Sequence, residues 1–255
     1  MIRSRTAQWC NLASYSAVIV FHLAVAFFPL GGLSTGQLSD KYHTLITPAD
    51  YTFTVWTVIY GLLAGWVLYP LLRNKRDPYS IPSMPLWFLL SCLLNIAWLA
   101  SWQLQRLPLS LAAMLLLLAV LAAMYRRTRR TLRPAAADIW LVRLPFTLYF
   151  GWIGVAALVN IQAVLVHALR IGYASAGYGS LLLPILLLSI GLAAACLIGF
   201  RARDGLLPLV YAWGYAAIML EQQAQRAVAV ASGALALGLV VYALRIAFLR
   251  AHERD

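Results

Sequence analysis

Residues 106–133 read RLPLSLAAMLLLLAVLAAMYRRTRRTLR. From Leu107 to Tyr125 nothing is charged; then Arg126, Arg127, Arg129, Arg130 and Arg133 follow within eight residues. A helix crossing bilayer hydrocarbon needs about 20 apolar residues. Basic residues collect in cytoplasmic loops. The stretch therefore reads as a membrane helix whose C-terminal end faces the cytoplasm. Just before it, Arg106-Leu107-Pro108 breaks the pattern and predicts a tight hairpin with the preceding apolar run.

The rest of the chain follows the same plan. Of its 255 residues, 63% are hydrophobic and 11% charged, and the mean hydropathy is +0.79. A soluble domain carries about 45–50% apolar and about 25% charged residues, which excludes a water-soluble enzyme and a disordered chain. Apolar runs predict helices at 12–33, 52–72, 86–105, 107–125, 140–166, 180–200, 205–221 and 227–249. The runs are continuously apolar with no period of two, so helices are expected and not a barrel. The expected fold is an all-α polytopic membrane helix bundle with about eight transmembrane helices. The seventh run is the weakest, being short with Pro208 near its start.

The formal net charge is +12, but the basic residues sit between the apolar runs and not along one face, so a nucleic-acid partner is rejected. Counted by segment, sixteen of the twenty Lys and Arg fall in alternate segments beginning with the N-terminus, and four in the others. This alternation supports eight spans with both termini cytoplasmic, in an integral membrane protein of a bacterial inner membrane. Arg3 and Arg5 ahead of an apolar run resemble a signal peptide. That run is long and Pro29-Leu30-Gly31-Gly32 offers no small-residue cleavage site, so an uncleaved first span is expected. Trp9, Trp87 and Trp140 stand at cytoplasmic helix starts as interfacial anchors. Cys10, Cys92 and Cys196 lack metal-ligand or redox-motif spacing.

Every Asp and Glu falls in a loop, a tail or a helix end. Buried carboxylates mark proton relays and ion-coupled pumps, so an ion-driven transporter is disfavoured. No Walker A, H-E-x-x-H or G-x-S-x-G sequence is present. His22 is the one histidine deep in a span, and His167 lies at the outer end of the fifth. No two histidines share a helix at i, i+4, so a bis-imidazole haem site is not encoded locally.

Nine tryptophans and thirteen tyrosines are many for this length, and several fall on helix faces at overlapping depths. Trp56 and Tyr60 are i, i+4 in the second span. Asn95, Trp98 and Trp102 share one face of the third. Pro145, Tyr149, Trp152, Ala156 and Asn160 form one stripe of the fifth. An asparagine in hydrocarbon must find a partner on another helix or on a ligand. Aromatic faces with a few fixed polar groups suit a flat apolar ligand; by spacing alone, helix–helix packing is the commoner outcome. Small residues also recur, at Gly61 and Gly65 in the second span and at Gly191, Ala195 and Gly199 in the sixth. These permit close helix approach or a homodimer face.

The segment Pro48-Ala49-Asp50-Tyr51-Thr52-Phe53-Thr54-Val55-Trp56-Thr57-Val58-Ile59-Tyr60 resembles the signature leading into the second helix of the TspO/MBR family, the tryptophan-rich sensory and translocator proteins. Asn95-Ile96-Ala97-Trp98 matches the family's N-x-x-W, and Trp152 and Asn160 keep its eight-residue spacing. The family's Gly-Pro before the tryptophan is missing, its Ser-Pro after N-x-x-W is Leu99-Ala100, and three further helices follow. These features look like a long, divergent branch. The resemblance implies a five-helix core over 1–170 and a three-helix extension over 171–255. It also implies a ligand pocket lined by Trp56, Tyr60, Asn95, Trp98, Trp152 and Asn160, with Tyr149 on the same stripe. The ligand class so implied is a tetrapyrrole (haem or protoporphyrin), a sterol or a similar flat apolar molecule.

The leading expectation is a membrane sensor or regulator that binds such a molecule. The alternatives are a facilitated transporter, a translocator, for it, or a structural subunit of a membrane complex, for which the Arg126–Arg133 cluster could dock acidic lipid or a partner. An enzyme acting on a bound pigment is disfavoured, because no carboxylate, paired histidine or reactive thiol is expected near the pocket. The partners expected are the lipid bilayer, a small apolar ligand and a second copy through Gly61 and Gly65.

Overall fold

The computed structural model describes residues 4–72, 84–129, 136–171 and 179–252. Among them every regular element is a helix. The long helices are α1 (Ser4–Phe27), α3 (Val55–Leu72), α4 (Pro85–Gln103), α5 (Leu107–Thr128), α7 (Leu144–Ala163), α8 (Gly179–Ala202), α9 (Leu206–Glu221) and α10 (Arg226–His252). Two short helices join them: α2 (Thr35–Lys41) and α6 (Ala136–Asp138). A 3₁₀ turn at Asp50–Thr54 leads into α3, and π turns at Ile139–Arg143 and Val164–Ala168 flank α7. Seven stretches are long and apolar enough to cross a membrane. The eighth, α9, has 16 residues and is about 24 Å long, in keeping with the weak seventh run of the sequence.

Local chemistry sets the helix ends. The first apolar run was expected over 12–33, but α1 runs from Ser4 to Phe27. Pro29 stops it, and Gly32 takes the left-handed conformation at φ +76°, which costs glycine nothing. Pro85 and Pro108 stand in the first turns of α4 and α5, where a missing N–H is no loss. The three residues between these helices close the expected tight hairpin. Its Gln105 is left-handed at φ 58°, and Arg106 N–H donates to Ser101 O at 2.8 Å. The π turn before α7 lies against Pro145, which cannot donate the usual helical bond, so the wider turn absorbs the break.

The chain forms two compact units, Met1–Thr35 with Val55–Phe150, and Gly36–Thr54 with Gly151–Asp255. In the first unit, α1 buries Ala7, Asn11, Ser14, Val18 and Val25 along one stripe. The side chain of Trp66 is wholly enclosed, with Phe88 and Phe146 edge-on at 4.9 and 5.0 Å. On α4, Phe88, Cys92, Asn95, Trp98 and Trp102 are buried, while Leu86, Leu90 and Leu93 are exposed. Such leucine stripes would be an aggregation hazard in water and are the lipid face of a membrane helix. Toward the end of α5, Arg127 lies 4.5 Å over Trp87 and Arg129 4.7 Å over Tyr125. Arg130 and Arg133 of the expected basic cluster lie outside the described residues, as do Arg73, Lys75 and Arg76 of the second loop. Trp9 and Trp140 are exposed, as interfacial anchors require.

In the second unit, α8, α9 and α10 pack on one another through small residues. A Cβ at Gly191 would meet the Tyr215 hydroxyl and the Leu158 side chain, and one at Gly199 would meet Pro208. Ala195 is fully buried. The small-residue stripe of the sixth apolar run is therefore used within the molecule. Two tyrosines reach backbone carbonyls across this unit, Tyr215 to Leu188 O at 2.6 Å and Tyr242 to Cys196 O at 3.0 Å. The connection before α3 is pinned to α9. Ala49 N–H donates to Ala217 O at 3.2 Å, Gln222 Nε2 donates to Thr44 O and Thr47 O at 3.1 Å, and Tyr51 meets Trp213 edge-on at 5.2 Å.

Two outcomes are expected. Gly31→Ala places a Cβ on the backbone carbonyl of Gln103, which no rotamer change relieves, so thermal unfolding in detergent should show a loss of about 1–3 kcal/mol. Gln222→Ala should raise amide hydrogen exchange at residues 44–49 with the α9 interior unchanged. Unaltered exchange there would show that this side chain does not hold the loop.

Candidate functional site

In the first unit, four helices bring polar side chains to one point inside a region otherwise apolar. His22 lies near the end of α1, Trp56 and Tyr60 in the first two turns of α3, Asn95 and Trp98 in α4, and Tyr149 in α7. Each is helical for ordinary reasons of apolar context. What is unusual is the meeting of their polar ends. Asn95 is fully buried at 0% exposure. Its Nδ2 donates to the Tyr149 hydroxyl at 2.7 Å, and its Oδ1 lies 2.7 Å from His22 Nε2. An amide oxygen only accepts, so the proton of that pair is on Nε2. The Tyr60 hydroxyl donates to the same Oδ1 at 3.5 Å and sits 2.9 Å from Nε2. No charged side chain takes part in these bonds.

Aromatic rings enclose this network. Trp56 stacks on Tyr60 at 5.3 Å and on Trp98 at 5.9 Å, and meets Tyr149 edge-on at 6.0 Å. The His22 imidazole lies 5.7 Å from Trp56 and 5.1 Å from Tyr60. Tyr15, two turns before His22, donates its hydroxyl to Tyr60 O at 3.0 Å and ties α1 to α3. Trp98 and Tyr149 are buried, whereas His22, Trp56 and Tyr60 are half-buried. The cluster thus has a closed side on α4 and α7 and an open side on α1 and α3. The indole N–H of Trp98, a residue 6% exposed, has no acceptor among the described residues.

Five of the residues singled out from the sequence, Trp56, Tyr60, Asn95, Trp98 and Tyr149, therefore meet in one unit. Trp152 and Asn160 lie further along α7, in the second unit, and both are buried. The Trp152 indole N–H also lacks an acceptor. His22 and Tyr15 were not among the expected site residues. The signal for His22 was present, since a histidine and an asparagine deep in hydrocarbon each need a partner and can supply one another. The Asn95 amide is engaged by protein groups at both ends, so its first role is to hold α1, α3, α4 and α7 in register.

Among the described residues no three His, Cys, Asp or Glu side chains gather to hold a bare metal ion. The site offers ring faces, one unpaired N–H donor and one imidazole. The imidazole lies beside the Tyr60 phenol, 2.9 Å from its oxygen.

Asn95→Leu is expected to lower stability by about 0.5–2 kcal/mol, measured by thermal unfolding in detergent, and His22→Leu by a similar amount. The double variant should cost less than the two single ones together, because they share one bond. Strict additivity would show that the pair is not coupled.

No curated protein and no solved structure matches the chain. A family model described as TSPO-like protein matches residues 8–245, which takes in the first five long helices and also α8, α9 and nearly all of α10. The membrane helices, the aromatic cluster on α3 and α4 and this nearly full-length match place the chain in the TSPO-like family.

Proposed function

We propose that this membrane protein binds a flat apolar molecule, of the tetrapyrrole or sterol type, and acts as its sensor or regulator. The observation that carries the reading is the Trp98 side chain. It lies buried beneath the half-buried Trp56 ring, with an N–H that has no acceptor among the described residues. An unpaired buried donor costs about 1–3 kcal/mol, which an acceptor on a ligand would recover. Trp66 carries an unpaired N–H too, but Phe88 and Phe146 enclose it in the core. Around Trp98, by contrast, the ring surfaces of Trp56, Tyr60 and His22 are partly open and within reach of a molecule dissolved in the bilayer.

The rest of the reading concerns placement. The protein lies in a bacterial inner membrane with both termini cytoplasmic, as the distribution of basic residues supports. A homodimer would use the Gly61/Gly65 face of α3, where Gly61 is exposed and a Cβ would meet nothing within 4 Å. Co-purification of two differently tagged copies in mild detergent tests that face.

The binding test is a titration of purified protein with protoporphyrin, followed by tryptophan quenching. Trp98→Phe keeps an aromatic face, though a smaller one, and removes the donor. It should weaken binding about tenfold, or ~1.4 kcal/mol, and Trp56→Ala should weaken it further. Absence of saturable quenching with both protoporphyrin and a fluorescent sterol would overturn the proposal.

A further inference from the structure

We propose that the contact between His43 and Gln222 is a pH-sensitive latch. It holds the segment 43–49 on the end of α9 while the imidazole is neutral, and it opens when the imidazole takes up a proton. The latch lies wholly within the second unit and does not depend on the ligand proposed for the first. The segment it holds leads through the 3₁₀ turn at Asp50–Thr54 into α3.

The hydrogen bonds settle which ring nitrogen carries the proton. Gln222 stands just past the end of α9 and is 4% exposed. Its Nε2 lies 3.1 Å from each of three atoms: Thr44 O, Thr47 O and His43 Nε2. Two of these are carbonyl oxygens, which only accept. The group facing them is therefore the amide NH2 and not the amide oxygen. An amide NH2 only donates, so His43 Nε2 presents its lone pair there and the ring N–H is on Nδ1. His167 follows the same logic. Its Nε2 lies 3.1 Å from the His43 carbonyl oxygen, so that nitrogen carries N–H.

Protonation has opposite consequences at the two rings. A proton added to His167 goes to Nδ1 and leaves the bond to His43 O in place. A proton added to His43 goes to Nε2 and sets an N–H against the Gln222 NH2. Two donors then compete for Thr44 O and Thr47 O, and one of them has to leave. His43 is exposed, so the proton comes directly from water. The other charged or titratable groups of the elements that meet here are Asp40, Lys41, Tyr42 and Asp50 on its own segment, Glu221 in α9, Arg226 at the start of α10 and Arg170 after the π turn. None of them enters the three bonds of the Gln222 amide nitrogen. The latch is thus present above the range in which imidazoles titrate and is lost as the pH falls through it.

The test is amide hydrogen exchange of the full chain in detergent at about pH 7.5 and about pH 5.5, a window in which histidine is the side chain that changes charge. Rates are corrected for the intrinsic pH dependence of exchange, and the α9 interior is the reference. The reporters are the N–H groups of Thr44, Thr47 and Ala49, bonded to Thr47 Oγ1, Thr44 O and Ala217 O. In the wild type their protection should fall about three- to tenfold at the lower pH, with the α9 interior unchanged. His43→Gln offers an amide oxygen that accepts from Gln222 at either pH, and should keep the reporters protected at both. His43→Ala should show the lower protection at both. His167→Gln keeps a donor for His43 O and should retain the pH step.

A wild type with no step sinks the latch. So does a step that persists in His43→Gln and His43→Ala, or one that vanishes in His167→Gln, which would assign the effect to the other ring.

Discussion

A carboxamide in bilayer hydrocarbon has no water to bond with, and at Asn95 that constraint organises the first unit. The side chain is completely enclosed, so each polar end must meet a protein group. The oxygen meets α1 through His22 and α3 through Tyr60, and the nitrogen meets α7 through Tyr149. One residue of α4 therefore sets the depth of three other helices. The aromatic contacts around it depend on that setting, because Trp56 can touch Tyr60, Trp98 and Tyr149 together only when α3, α4 and α7 share a register.

The second unit answers the membrane constraint differently. Its interhelical polar bonds include tyrosine hydroxyls donating to helix carbonyls, from Tyr215 to Leu188 and from Tyr242 to Cys196. A helical carbonyl already accepts one bond and keeps a second lone pair, so these bonds leave the helix ladders intact. Close approach comes from glycine. A Cβ at Gly154 would meet the Tyr211 hydroxyl and one at Gly214 the Val155 side chain, so α7 and α9 close on one another from both sides. The short α9 has most of its residues buried, so packing within the unit supports a helix whose 16 residues fall short of the usual span.

Much of this was legible in the residues. Apolar runs and the prolines beside them located the eight long helices, because hydrocarbon requires each span to satisfy its own backbone. The 4-residue and 3-residue spacings put Trp56 with Tyr60, and Asn95 with Trp98, on common faces. Less legible were the features that depend on a neighbour. The end of α1 at Phe27 comes from the Pro29–Gly32 turn, although Leu30 and Leu33 prolong the apolar run. The loop helix α2 leaves little mark in hydropathy. The packing use of Gly191 and Gly199 against the open surroundings of Gly61 could not be told from spacing, since the same stripe serves either purpose.

The sequence by itself determined that the chain is a set of membrane helices, and which residue types lie on which helix face, because both follow from local periodicity and from the cost of unpaired backbone in lipid. Only the tertiary structure decided that His22 completes the Asn95 network, that the Trp98 N–H is left over, and that Trp152 and Asn160 belong to the other unit. Those outcomes depend on the rotation and depth of each helix against its neighbours. A one-residue turn of about 100° on any helix would change every partner while leaving the composition and the hydropathy pattern as they are.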